Sequence, residues 1–176
     1  MSAHEATRPP FTERRRVLLL ADLAGFTRAV APLRVLQLAE LVDHFYRLAA
    51  DIVQAHGGSI VKFVGDGCLA VFDEENAVAA VSCAQALRAP VRALGAEHGV
   101  ELDLGANVHL STVVEGQFGA GPSAANDVVG AGVIHAFRMG AGPGIRISEP
   151  VYRKQSNDAR GPWHKHQPPA TYTLSD

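Results

Sequence analysis

This chain is short of the features that would place it quickly. It has two cysteines in 176 residues, Cys68 and Cys83, both among apolar neighbours and without metal-ligand spacing. That excludes a disulfide framework and reads as small buried hydrophobes in a reducing, cytoplasmic setting. Charge of one sign is also missing: 16 basic residues face 18 acidic ones, for a net charge of -2. This balance gives no electrostatic case for a nucleic-acid or anionic-membrane partner, so any ligand is expected at a local site. No apolar run approaches the ~20 residues of a membrane span, and the first residues hold no signal-peptide core. There is no internal repeat and no low-complexity tract. The hydrophobic content of 47% is enough for one well-buried core. A single domain over 16–176 is expected, preceded by a polar, Pro-Pro-containing segment 1–15 expected to be flexible. The Arg14-Arg15-Arg16 cluster reads as a solvated charge gate ahead of a hydrophobic strand.

The elements follow from hydrophobic periodicity. "VLLLA", Val17 to Ala21, is a continuous apolar run of the kind a central strand shows when both faces are covered. It breaks at Asp22 and Gly25. From Pro32 to His56, Leu33, Leu36, Leu41, Phe45, Leu48 and Ile52 recur at helical spacing, and Gly57-Gly58 closes the helix. "SIVKFVGDGCLAVF" then reads as a hairpin whose tip is Gly65-Asp66-Gly67. An alanine-rich helix follows, with Pro90 a kink or break. "VELDLGANVHLSTVVEGQFG" returns to strand character with a turn or bulge at Glu115-Gly116. Asp127 to Met139 reads as a third helix, and "IRIS" and "ATYTL" as closing strands. The order is not the regular alternation of a doubly wound fold. It predicts an α+β architecture: a ferredoxin-like βαββαβ core with extra strands and a mixed sheet carrying helices on one face.

In such a core the first strand lies beside the hairpin, which brings Asp22 and Asp66 to adjacent strand ends. Two carboxylates so placed suit a hard divalent cation that completes its shell with substrate phosphates. The "LAGFT" segment adds backbone N–H groups at a helix start, a cradle for phosphate oxygens. Each residue also has a plainer reading: Asp22 as a helix cap, Asp66 as a turn former. The pair is more specific than either part.

Taken in order, "VLLLADLAGFT", "GGSIVKFVGDGCLAVF", "GANVHLSTVVEGQFG", "NDVVGAGVIHAFRM" and "IRISEPVY" resemble the motifs of the class III nucleotidyl cyclases, the adenylate and guanylate cyclase catalytic domain. The resemblance runs from about Arg16 to Tyr152. It implies a homodimeric, metal-dependent enzyme that turns ATP into 3′,5′-cyclic AMP and diphosphate with two ions, Mg²⁺ or Mn²⁺. Asp22, Leu23 and Asp66 would serve the metals, and Gly25, Phe26 and Thr27 the phosphates. Lys62 and Asp127 fall where adenylate cyclases place their base-reading pair, a donor for adenine N1 and an acceptor for N6. Arg138 aligns with the arginine that steadies transition-state charge. In the family each site is shared, with metal aspartates from one subunit and base and arginine contacts from the other.

Three departures stand out. Ile134 occupies the position of a ribose-contacting asparagine, with His135 the adjacent polar residue. Ser111 replaces a glycine after the strand histidine His109, to which no catalytic role is assigned. The terminal-phosphate lysine has only loose counterparts in His164 and Lys165. Two other readings therefore stand beside the first: a degenerate cyclase-like module that binds nucleotide or a partner without turnover, and a cyclase for GTP or a pyrimidine nucleotide. Lys62 facing solvent and Asp127 capping a helix are the corresponding plain readings.

Overall fold

A computed structural model describes residues 11–166 and 170–174. Strand β1 (Thr12–Ala24) leads through the one-turn helix α1 (Phe26–Ala29) into the long helix α2 (Val35–Ala55). The hairpin of β2 (Ser59–Val64) and β3 (Gly67–Asp73) follows, then helix α3 (Ala77–Glu97) and the long strand β4 (Asp103–Phe118). Strand β5 (Ala125–Val129), helix α4 (Ala131–Arg138) and strand β6 (Gly144–Ser148) come next. The short helices α5 (Glu149–Lys154) and α6 (Asn157–Arg160) and the strands β7 (Trp163–His166) and β8 (Thr171–Leu174) complete the described chain.

The eight strands form one sheet in the order β2-β3-β1-β4-β6-β8-β7, with β5 paired to β4. β1 runs antiparallel to β3 and β4, and β4 runs parallel to β6. The sheet is therefore mixed, and the α+β expectation holds. Because side chains alternate along a strand, Val17, Leu19, Ala21 and Leu23 enter the main core with Leu41, Phe45, Leu87 and Val91 of α2 and α3. Leu18 joins a second cluster on the opposite face with Leu69, Val113, Val128 and Ala136. β1 reads as unbroken hydrophobicity because both its faces are covered.

Several expectations need correcting. The helices do not all lie on one face, since α4 packs on the side opposite α2 and α3. β1 begins at Thr12, so Thr12 to Arg15 are strand and not part of a flexible leader, while residues 1–10 lie outside the described residues. Within β1 the three arginines are ion-paired, not merely solvated: Arg15 with Glu74 at 3.1 Å, Arg14 with Glu115 at 3.7 Å, and Arg16 with both Asp73 and Glu115. Pro90 leaves α3 unbroken. The carbonyl it leaves without a helical donor belongs to Ala86, which is exposed, so water can take that bond. β4 passes through Glu115-Gly116 without a turn; at Gly116 a Cβ would meet the exposed ring of Phe11. Asp127 is strand, not helix, because Val128 and Asp127 pair with Glu115 and Gly116 of β4, and the helix starts only after Gly130 at φ 152°. No described helix is long and apolar enough to cross a membrane.

Candidate functional site

Asp22 lies near the end of β1, with Gly67 of β3 on one side and Gly105 of β4 on the other. Both neighbours have to be glycine. A Cβ on Gly67 would sit 2.7 Å from the Ala21 carbonyl, and one on Gly105 would collide with the Asp22 carboxylate. The carboxylate thus lies across bare backbone. Asp66 follows Gly65, the residue of the hairpin tip with positive φ, at 59°, and its carbonyl accepts from the Leu23 amide at 3.2 Å. The two glycines around Asp66 therefore do different jobs: Gly65 makes the turn, and Gly67 permits close approach to β1.

Asp22 and Asp66 line one cleft of about 190 Å³, together with Leu20, Val64, Asn107, Phe137 and Arg146. Burial, and after it the charge of Asp66, push the Asp22 carboxyl above its usual range, and Arg146 pulls the other way. Like charges held this close are what a cation resolves. A second cavity, of about 410 Å³, shares Asp22 and Asp66 and is lined by Leu23, Gly25, Phe26, Thr27, Arg28 and Gly142. Gly25 there takes φ 81° ahead of α1. The expected phosphate cradle and the carboxylate pair are thus contiguous. Among the described residues no group of three or more His, Cys, Asp or Glu side chains could hold a metal alone. Two carboxylates beside an open cavity fit an ion that takes its remaining ligands from substrate oxygens and water.

Lys62 and Asp127 meet, with Nζ donating to Oδ2 at 2.7 Å. The cause is a register shift in β2: Ile60 pairs with Ala70 but Lys62 pairs with Leu69, which leaves Val61 as the extra residue. Without this bulge Lys62 would face the α2 side. With it, Lys62 shares the face of Leu69 and reaches β5. Asp127 also takes its own neighbour's amide, Val128 N donating to Oδ1 at 2.7 Å. The cavity beside this pair, about 420 Å³, is lined by Asn126, Asp127, Ser59 and Val61 but by neither Asp22 nor Asp66. The two aspartates and the Lys62–Asp127 pair are two separate places on one chain.

The remaining candidates divide in the same way. Arg138 ends α4 and is exposed, outside the described carboxylate cleft that its neighbour Phe137 lines. Ile134 is 56% exposed on α4. The ring of His135 packs on that of His109 at 4.6 Å between centroids. Burial, and then the charge of His135, bring His109 down to about 4. Lys165, on the edge strand β7, stands 5.6 Å over the ring of Tyr172; the structure does not bring it to the two aspartates. Arg146 was not anticipated from sequence. Its strand was, but the position became relevant only when β6 docked beside β4.

No family model matches the chain. Over 156 residues it is 24% identical to an adenylate cyclase of Anabaena cylindrica, an alignment that covers 81% of this chain and 31% of that protein. The chain thus spans about a third of that relative's length. Among solved structures, it superposes on the adenylyl cyclase CyaB from P. aeruginosa with a TM-score of 0.81 and 22% identity, covering 95% of this chain and 96% of that one. The guanylyl cyclase Cya2 superposes with a TM-score of 0.80 and 24% identity, covering 93% and 92% respectively.

Proposed function

Since this chain has the fold of the class III adenylyl/guanylyl cyclase catalytic domain and is recognised as a domain of that type, we propose that it is a metal-dependent cyclase converting ATP to 3′,5′-cyclic AMP and diphosphate. The observation that carries this reading is the shared cleft of Asp22 and Asp66, contiguous with the Gly25-Phe26-Thr27 cradle. Asp22 and Asp66, with Leu23 between them and the cradle, would hold two divalent ions, Mg²⁺ or Mn²⁺. When bound, such ions supply neutralisation of the triphosphate and activation of the ribose 3′-hydroxyl. In the proposed reaction the 3′-oxygen bonds to the α-phosphorus as the bond to diphosphate breaks. The protein's part is to align the two in line and keep the charge balanced.

ATP is the substrate favoured by the Lys62–Asp127 pair, which offers a donor and an acceptor to the base edge. Asp127 lines a cavity that contains neither Asp22 nor Asp66, which supports a site completed by a second copy related by two-fold symmetry. Under this reading Arg138 and Lys165, both away from the aspartates of their own chain, serve the phosphates of the nucleotide held at the partner's aspartates. The working protein is then a cytoplasmic homodimer. A second reading, nucleotide binding without turnover, is favoured by Ile134, an exposed apolar side chain where the family has its ribose-contacting asparagine.

The test is product formation from ATP, GTP, CTP and UTP in parallel, with Mn²⁺ or Mg²⁺. Cyclic AMP from ATP alone supports the first reading; a cyclic product from another base keeps the chemistry and corrects the base. A dimer that binds nucleotide and yields no product supports the second reading.

A further inference from the structure

The α4–β6 connection forms a wall common to the cavities around the aspartates. Gly140 and Ala141 line the cleft of Asp22 and Asp66, and Gly142 lines the cradle cavity. This wall is braced from the sheet at two points. At one end Asn107, 7% exposed, donates from Nδ2 to the carbonyls of Ala136 and Gly140, each at 3.0 Å. At the other, Arg146 spreads its guanidinium under the loop: Nη1 donates to Gly142 and Gly144, at 3.2 and 3.4 Å, and Nη2 to Ala141 and Pro143, at 2.6 and 3.3 Å. Asn107 and Arg146 are register partners on the parallel strands β4 and β6. Gly140 must lack a side chain because a Cβ would lie 2.6 Å from Arg146 Nε.

A guanidinium held by four carbonyls has little hydrogen-bonding capacity left for a ligand, but it keeps its full charge. That charge lies in the cleft of the two aspartates. We propose that Arg146 is a positioning residue of this cleft, a braced fixed cation that opposes metal-ion binding to the free protein and favours binding of the triphosphate. The inference rests on the cyclase reading above. Its physical content is a pair of effects of opposite sign. A positive charge beside the aspartates lowers their attraction for Mn²⁺ or Mg²⁺ and raises it for a polyanion. Ion and nucleotide then assist each other's binding, because the arriving triphosphate offsets the repulsion that Arg146 exerts on the ion. A brace alone would act differently: loosening the wall would weaken both ligands.

The experiment measures two equilibria on the full chain without turnover: Mn²⁺ binding in the absence of nucleotide, by the loss of the free-ion EPR signal, and binding of a non-hydrolysable ATP analogue in the absence of metal. Neutral replacement by Arg146→Gln, or by Arg146→Met should the first not fold, is expected to tighten Mn²⁺ by about 3–10-fold and weaken the analogue by a similar factor. Arg146→Lys keeps the charge and loses the fork, and is expected to leave Mn²⁺ within about 2-fold of wild type. Weakening of both ligands by the neutral variants, or no change in either, overturns the inference. Asp22→Asn separates this from failure of the underlying reading. If Asp22→Asn leaves Mn²⁺ binding intact, the metal assignment fails and takes the inference with it; if it abolishes binding while Arg146→Gln does not tighten it, only the inference fails.

Discussion

Helices α2 and α3 close one face of the sheet over Val17, Leu19, Ala21 and Leu23. On the other face, among the described residues, α4 packs over Leu18, Leu69, Val113 and Val128, and Val64, Ile134 and Phe137 are exposed. The same strand supplies both sides: Leu18, Leu20 and Asp22 point one way, their neighbours the other. The closed face holds most of the hydrophobic burial. The sparse face carries the aspartates, the arginine and an unpartnered apolar helix surface. Most of the burial lies on one side of the sheet, and the candidate site residues lie on the other.

The largest effect that would sharpen this contrast is Asp66→Ala. As a hairpin-tip residue with little packing, it is expected to lower turnover by about 10³-fold or more with the thermal midpoint nearly unchanged. Retained activity with this variant would break the metal assignment. The next test sets one apolar residue of each side against the other. Ile134→Asp on the open face should weaken dimerisation by about 10²-fold in sedimentation, because it places a charge in an apolar contact. Val35→Asp at the start of α2, where the residue is 82% exposed, should leave the association state alone. Equal behaviour of the two variants would mean that the open face is not where copies meet. Lys62→Glu should shift the ratio of ATP to GTP turnover by about 10-fold toward GTP, read from parallel rates; an unchanged ratio would place Lys62 outside the base pocket.

The smallest expected effect concerns pH. His109 lies under α4 and burial lowers it to about 4 from an ordinary 6.5. A histidine held neutral in the fold but protonated when unfolded contributes stability that is present above pH 6.5 and is lost as pH falls toward 4. After discounting for partial solvent access, the loss is about 1–2 kcal/mol. Denaturant midpoints at pH 7 and pH 4.5 should show it, and His109→Gln should reduce the difference.

Legibility in the sequence was uneven for physical reasons. The hairpin, α2 and the end of β1 were readable because each is specified by local periodicity and by glycine at its ends. Asp127 reads as helix because "NDVVGAGV" runs without a gap into true helix. Only its pairing with Gly116 of the preceding strand β4 makes it strand. Pro90 overstated a break for the opposite reason: a long helix packed on the core absorbs one missing hydrogen bond on its solvent side. Arg146 carried no readable signal, because its importance lies in which strand β6 pairs with.

By itself, then, the order of residues determined the α+β class, the positions of Asp22 and Asp66 at strand ends, and the glycine-led cradle after them, since these depend on local conformational preference and hydrophobic spacing. Only the tertiary structure decided that the β2 bulge turns Lys62 toward Asp127, that this pair stands apart from Asp22 and Asp66, and that Arg146 lies beside the aspartates. Lys62 and Asp127 are 65 residues apart and Arg146 reaches the site only because β6 pairs with β4, so these contacts depend on how distant strands meet, which no local pattern encodes.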